Sequence, residues 1–261
     1  MPSSSYKMLS VLDLYSAEMP VWTVEAISAQ LHCSVATAYR YVGDLCAAGL
    51  LTRVTGGSYV LGARIVRLDL LMREVDPIAA IGRPLIAALV AQTGCDVLLS
   101  NVYGDHLVNV LHERGSEMLP ISFVRGRPHP MFRGAMAKAI LAFMKRSRIL
   151  RIYKSHTEEV AAAGLGGSWI LFWRALQVIR KRGYADSLGE LDQGVVGLAA
   201  PVFNGPDLLG SIGLALSEER LKLMNPLHLA SLVVDCAAQL SRGIESIAHP
   251  KTAVIKPQSS K

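Results

Sequence analysis

The chain has 261 residues, 51% of them apolar, with 27 Lys and Arg against 21 Asp and Glu for a formal net charge of +6. That is long and apolar enough for one large or two modest globular domains with buried cores. No apolar run approaches the roughly 18 residues of a membrane span, and the opening M-P-S-S-S-Y-K lacks a signal layout, so a cytoplasmic protein with no membrane partner is expected.

In chain order, Met8, Leu9, Val11, Leu12, Leu14 and Tyr15 fall near helical spacing and predict a first helix ending before Met19 and Pro20. Thr23 is positioned to cap V-E-A-I-S-A-Q-L. After the short turn H-C, Ser34 is a second N-cap, and Val35, Ala38, Val42 and Leu45 recur as a buried helical face. Gly49 supplies the stop. The run L-L-T-R-V-T-G-G-S-Y-V-L-G then reads as two short strands around a Gly-Gly turn. Helices followed by a hairpin predict a winged helix-turn-helix unit over residues 1–62.

Residues 63–76 have apolar positions at Ile65, Leu68 and Leu71 or Met72, as in a linker helix, and Pro77 opens another helix. Beyond Cys95 the pattern changes to strand-like runs: C-D-V-L-L-S-N-V-Y, H-L-V-N-V-L-H, I-S-F-V, V-V-G-L-A-A-P-V-F and L-L-G-S-I-G-L-A-L. Helices at Gly134 to Met144, Ser168 to Lys181 and Pro226 to Ile247 are interspersed. The fold class expected is α+β, with an antiparallel sheet in a GAF-like ligand-sensing domain over 77–249 and a loose tail over 250–261.

Charge is unevenly placed. Residues 1–62 carry Lys7, Arg40 and Arg53 against Asp13, Glu18, Glu25 and Asp44, a net −1. Residues 77–182 carry fifteen bases against six acids, a net +9, in clusters such as K-R-S-R-I-L-R, which suit the solvated face of a helix. Cys33, Cys46, Cys95 and Cys236 have no C-x-x-C spacing and the seven histidines are dispersed, so reduced thiols, no metal and no cofactor are expected.

W-T-V-E-A-I-S-A-Q-L-H-C-S-V-A-T-A-Y-R-Y-V-G-D-L-C-A-A-G-L-L, running on to Y-V-L-G, forms one distinctive stretch. R-G-Y-A-D-S-L-G-E-L-D-Q-G-V-V-G-L-A-A-P-V-F-N and P-M-F-R-G-A-M-A-K-A-I-L form others. Together they resemble the IclR family of bacterial transcription regulators over about residues 5 to 247. The chain departs from the family pattern at Ala137, where a glycine is usual, and at Gly197, where a small polar residue or Cys is usual. Ser187 stands where some members have an effector-binding Asp. Gly213 and Ala215 replace hydroxyls that hold small keto acids in some members.

The resemblance implies a DNA-binding head and an effector-binding domain. On the head, Ser34, Val35, Ala36, Thr37, Tyr39, Arg40 and Tyr41 are the expected contacts of a helix entering the major groove of double-stranded operator DNA, with Arg53 and Ser58 on the wing. A head of net −1 is a poor electrostatic binder alone, so a homo-oligomer, dimer or tetramer, is expected. For the effector, the candidates are Arg133, Ala135, Met136, Ser187, Glu190, Gly197, Gly213 and Ala215. Their small or apolar side chains suggest an aromatic or other hydrophobic metabolite of carboxylate type, with Arg133 as its anchor, or else pointing to solvent or paired with an acidic residue such as Glu190. The alternatives are a small-molecule enzyme on the C-terminal domain and a protein-interaction adaptor. No G-x-S-x-G, phosphate loop or dehydrogenase fingerprint supports an enzyme, and G-L-G-G-S-W follows A-A-A rather than a strand.

Overall fold

The computed structural model describes residues 3–103, 106–122 and 126–248, and the chain divides after Asp76 into two compact units. The expected tail and the Phe123 and Val124 of the expected strand I-S-F-V lie outside the described residues. Ile121 and Ser122 are described and form no strand.

The first unit begins with helix α1 (Ser4–Leu9), capped by Ser3. The single helix expected through Tyr15 is broken here. Ser10 donates its hydroxyl to the Lys7 carbonyl, and a 3-10 turn over Leu12–Leu14 follows while Val11 is fully buried. After β1 (Trp22–Thr23), helix α2 (Val24–Gln30) starts on the Thr23 side chain. The turn to the next helix is closed by Ser28, which donates its hydroxyl to the Cys33 carbonyl at 2.7 Å, and by His32 at φ 49°. Helix α3 (Val35–Ala47) is capped by Ser34 and ends as Gly49 takes φ 73°. The wing is β2 (Leu51–Arg53) and β3 (Ser58–Leu61), joined through Gly56 and Gly57 and flanked by β1 in the order β1-β3-β2. Val24, Ile27, Ala38, Val42, Leu45 and Leu51 fill one core. Helix α4 (Ala63–Val75) springs from this unit, where Arg64 donates to the Ala48 carbonyl at 3.0 Å, and it buries none of its residues.

The second unit runs α5 (Pro77–Thr93), β4 (Asp96–Tyr103), β5 (His106–Glu113), β6 (Pro128–His129), α6 (Ala135–Phe143), α7 (Arg146–Ser155), α8 (Thr157–Ala162), α9 (Trp169–Arg182), β7 (Ala185–Leu188), β8 (Val195–Asn204), β9 (Asp207–Ser217), α10 (Glu218–Lys222) and α11 (Pro226–Ala248). Its sheet is antiparallel in the order β6-β5-β4-β9-β8-β7. Helices α5 and α11 pack on one face, around Val97, Leu99, Ile212, Leu214 and Leu240. Helix α6 covers the other and α9 packs against α6, around Leu98, Ile140, Phe172, Leu176 and Ala199. Burial on both faces explains why β8 and β9 read as continuous apolar runs rather than alternating ones. The short α7, α8, α10 and the edge strands β6 and β7 had not been set out as elements by the sequence, apart from the helical reading of K-R-S-R-I-L-R. In α7, Ile149 and Ile152 turn inward while Arg146 and Arg151 face solvent.

Candidate effector cavity and recognition helix

Helix α3 presents Ser34, Val35, Ala36, Tyr39 and Arg40 to solvent, with Thr37 half-buried. The Ser34 hydroxyl accepts the Thr37 N–H at 3.2 Å and lies 2.8 Å from the Thr37 hydroxyl, so the cap also fixes the side chain that follows. Val35, expected in the buried face, is 44% exposed because it sits in the first turn, before the helix meets α2. Tyr41 requires the opposite correction. Expected among the DNA contacts, it is 4% exposed, and its hydroxyl lies 3.1 Å from that of Ser4 on α1. It is a core residue that ties α1 to α3. On the wing, Arg53 is exposed and Ser58 half-buried.

In the second unit the N-terminal turn of α6 borders a partly open cavity of about 60 Å³. Gly134 enters the helix at φ 84°, and a side chain there would strike Leu191. The Gly134 N–H donates to Glu190 Oε2 at 2.8 Å, Lys138 Nζ donates to Glu190 Oε1 at 2.5 Å, and the Ala135 N–H donates to Ser187 Oγ at 3.1 Å. Ser187 reaches that amide because Gly197 opposite it on β8 has no side chain; a Cβ there would lie 2.7 Å from Ser187 Oγ. Ala135, Met136, Ser187, Gly197 and Ala215 line the space together, as the sequence groups them.

Leu98, Ile121, His129, Leu191, Asp192, Val195 and Leu214 complete the wall, none of them marked for it by a motif. Burial pushes the His129 imidazole down to about 4, against the opposing pull of Asp192. Asp192 accepts the Ser122 N–H at 3.1 Å. Behind Met136 lies a buried polar layer. Ser100 and Ser211 face each other across β4 and β9, Ser100 donates to Asn109, and Ser211 donates to the Met136 carbonyl at 3.2 Å. The polar residues that interrupt the apolar runs of β4 and β9 were the available signal.

Three expectations are corrected by this geometry. Arg133 is exposed and borders a separate depression with Met131, Glu159 and Ala162. It lines that depression and not the cavity, so it is not placed to anchor a ligand in the cavity. Glu190 pairs with Lys138 rather than Arg133. Gly213 leaves no open volume: a Cβ there would meet the Leu198 carbonyl at 3.0 Å and Met136 Cγ at 3.2 Å, so Met136 already fills the position.

A family model, bacterial transcriptional regulator IclR C-terminal, matches residues 72–242. The chain is 26% identical to the HTH-type transcriptional regulator KipR of Bacillus subtilis over 243 residues, 91% of this chain and 95% of that one. Among solved structures, an IclR family transcriptional regulator from Brucella abortus shares the fold with a TM-score of 0.78 at 18% identity, covering 93% of this chain and 92% of that one. An IclR homologue from Microbacterium hydrocarbonoxydans complexed with 4-hydroxybenzoate shares it with a TM-score of 0.70 at 15% identity, covering 94% and 100%. These relatives are regulators rather than enzymes, and with the greater part of its length matched by the family model, the chain belongs to the IclR family of bacterial transcriptional regulators.

Proposed function

We propose that the protein binds operator DNA as a dimer or tetramer and changes its affinity for that DNA when a small hydrophobic metabolite occupies the cavity beside α6. The observation that carries the DNA half is the solvent face of α3: Val35, Ala36, Tyr39 and Arg40 stand together at the N-terminal end of a capped helix, next to a hairpin wing. A solvated helix of no further use would more commonly present Glu and Lys there. Val35 and Ala36 suit thymine methyls, Arg40 suits a guanine edge or phosphate, and Tyr39, Thr37, Arg53 and Ser58 suit the backbone.

Oligomerisation is supported by α4, where Val66, Leu70, Leu71, Met72 and Val75 are all exposed in the single chain. A second copy of the helix is a natural cover for them, and pairing brings two weakly charged heads onto one site. The metabolite half rests on the apolar walls of the cavity, and the 4-hydroxybenzoate bound by a structural neighbour supports an aromatic ligand of that size. Coupling follows by linkage: a ligand that prefers one arrangement of the heads shifts operator affinity by its differential affinity for the two. The location is the cytoplasm, where operator DNA is found. Footprinting of the purified full-length protein on its own upstream region tests the reading; protection over a repeated or inverted sequence is expected. An adaptor that never touches DNA would leave that region uniformly cleaved.

A further inference from the structure

We infer that the cavity beside α6 selects a ligand without negative charge, one that donates a hydrogen bond to Asp192 while its apolar body lies against Leu98, Val195 and Leu214. The inference rests on the cavity being the effector site and specifies the chemistry that site accepts.

The ammonium and backbone donors that would greet a carboxylate are already engaged, which leaves the proton of the Ser187 hydroxyl as a neutral donor. Glu190 places its own carboxylate on the Gly134 amide and on Lys138, and Ser187 takes the Ala135 amide. Lys138 is 9% exposed, so its ammonium cannot trade Glu190 for water. An acidic ligand would have to evict Glu190, leaving that carboxylate and its own to share one ammonium. Arg133, the cation nearest in sequence, borders a different depression.

The remaining charge on the wall has the wrong sign for an acid. Asp192 lines the cavity with one oxygen accepting the Ser122 amide, and among the described residues its other oxygen accepts no hydrogen bond. His129 stands nearby, and burial keeps its imidazole neutral at physiological pH. With Lys138 and Glu190 cancelling, the local charge among the described residues is that of Asp192. A ligand carboxylate would lose its hydration and face this carboxylate, whereas an amide N–H or a hydroxyl would satisfy the open oxygen. The expected ligand is therefore a small hydrophobic amide, alcohol or phenol rather than an aromatic acid.

Matched pairs test this on the full-length protein by titration calorimetry near pH 7.5: benzamide against benzoate, and 4-hydroxybenzamide against 4-hydroxybenzoate. Each amide should bind at least about tenfold more tightly than its acid, the equivalent of a single charge-assisted contact. Asp192→Asn, which preserves shape, should narrow the gap by improving the acids, and Ala215→Leu, which fills the cavity, should abolish amide binding. Equal or tighter binding of the acids, still blocked by Ala215→Leu, overturns the charge inference and leaves the cavity as the ligand site. Binding that survives Ala215→Leu in a protein with normal melting behaviour, or no binding by any member at millimolar concentration, overturns the cavity reading itself. If Ala215→Leu fails to fold, Val195→Leu serves as the filling variant.

Discussion

The guanidinium of Arg40 lies 5.6 Å from the centre of the Tyr41 ring, so the buried tyrosine of α3 supports the exposed arginine beside it. Arg40 itself stays exposed, with its guanidinium resting beside that ring. Arg40→Ala should therefore cut specific operator affinity by about 1 to 3 kcal/mol if the residue reads a guanine, with the melting temperature unchanged. Tyr41→Ala should act in the reverse order, costing about 3 to 5 kcal/mol of stability through the cavity it leaves. Fluorescence anisotropy with labelled operator and thermal melts of both variants check this. Wild-type operator binding by Arg40→Ala at physiological salt would remove it from the reading role.

The exposed apolar residues of α4 predict a defect in assembly. Replacing Val66 and Leu70 together by Glu should shift the protein toward monomer in sedimentation velocity and weaken operator binding in proportion, while each unit keeps its own melting transition. A head of net −1 gives little electrostatic compensation, so a fragment ending at residue 62 should bind feebly as well. Full operator affinity in a monomeric variant would contradict the argument from charge.

His129 predicts a specific pH dependence. Its folded pKa of about 4 lies below the ordinary 6.5, so the unfolded chain binds the extra proton first. The stabilisation from the neutral imidazole is complete above about 6.5 and is lost as pH falls through the window toward about 4. His129→Gln should flatten the fall in melting temperature across that window relative to wild type. Parallel curves for the two proteins would show that the imidazole is not buried in solution.

Local signals made much of this fold legible. Thr23 and Ser34 as caps, Gly49 as a stop, the Gly56 and Gly57 turn and Pro77 as a helix start all act within a few residues, and each element begins or ends there. What the sequence did not reveal is set by distant partners. Tyr41 falls at the i+3 place of the Ala38, Val42 and Leu45 stripe, so its inward direction was open to the spacing, whereas its hydroxyl partner Ser4 on α1 was not. Arg133 lines a depression of its own beside Glu159 and Ala162, residues distant in the sequence. Leu191 and Asp192 reach the cavity from the loop between β7 and β8, which carries no helical or strand period, and the small size of the cavity follows from Met136 filling the place beside Gly213.

Met136 also sets the last prediction. The cavity of about 60 Å³ is smaller than the roughly 150 Å³ known to admit a benzene ring, so an aromatic ligand needs side chains to move. Met136 is suited to this: it is unbranched, it lines the space, and its sulfur lies 3.6 Å from the Ser100 hydroxyl, a weak contact. The Ser211 hydroxyl fixes its carbonyl, so the backbone stays while the side chain swings. Met136→Ala should cost about 2 to 5 kcal/mol of stability, because it deletes buried atoms that the core cannot fully replace. The same truncation should tighten binding of benzamide by about tenfold, since the space no longer has to be opened at the ligand's expense. Calorimetry on the wild type and the variant measures both effects. A variant that is destabilised with no gain in affinity would show that Met136 packs the core without gating the cavity.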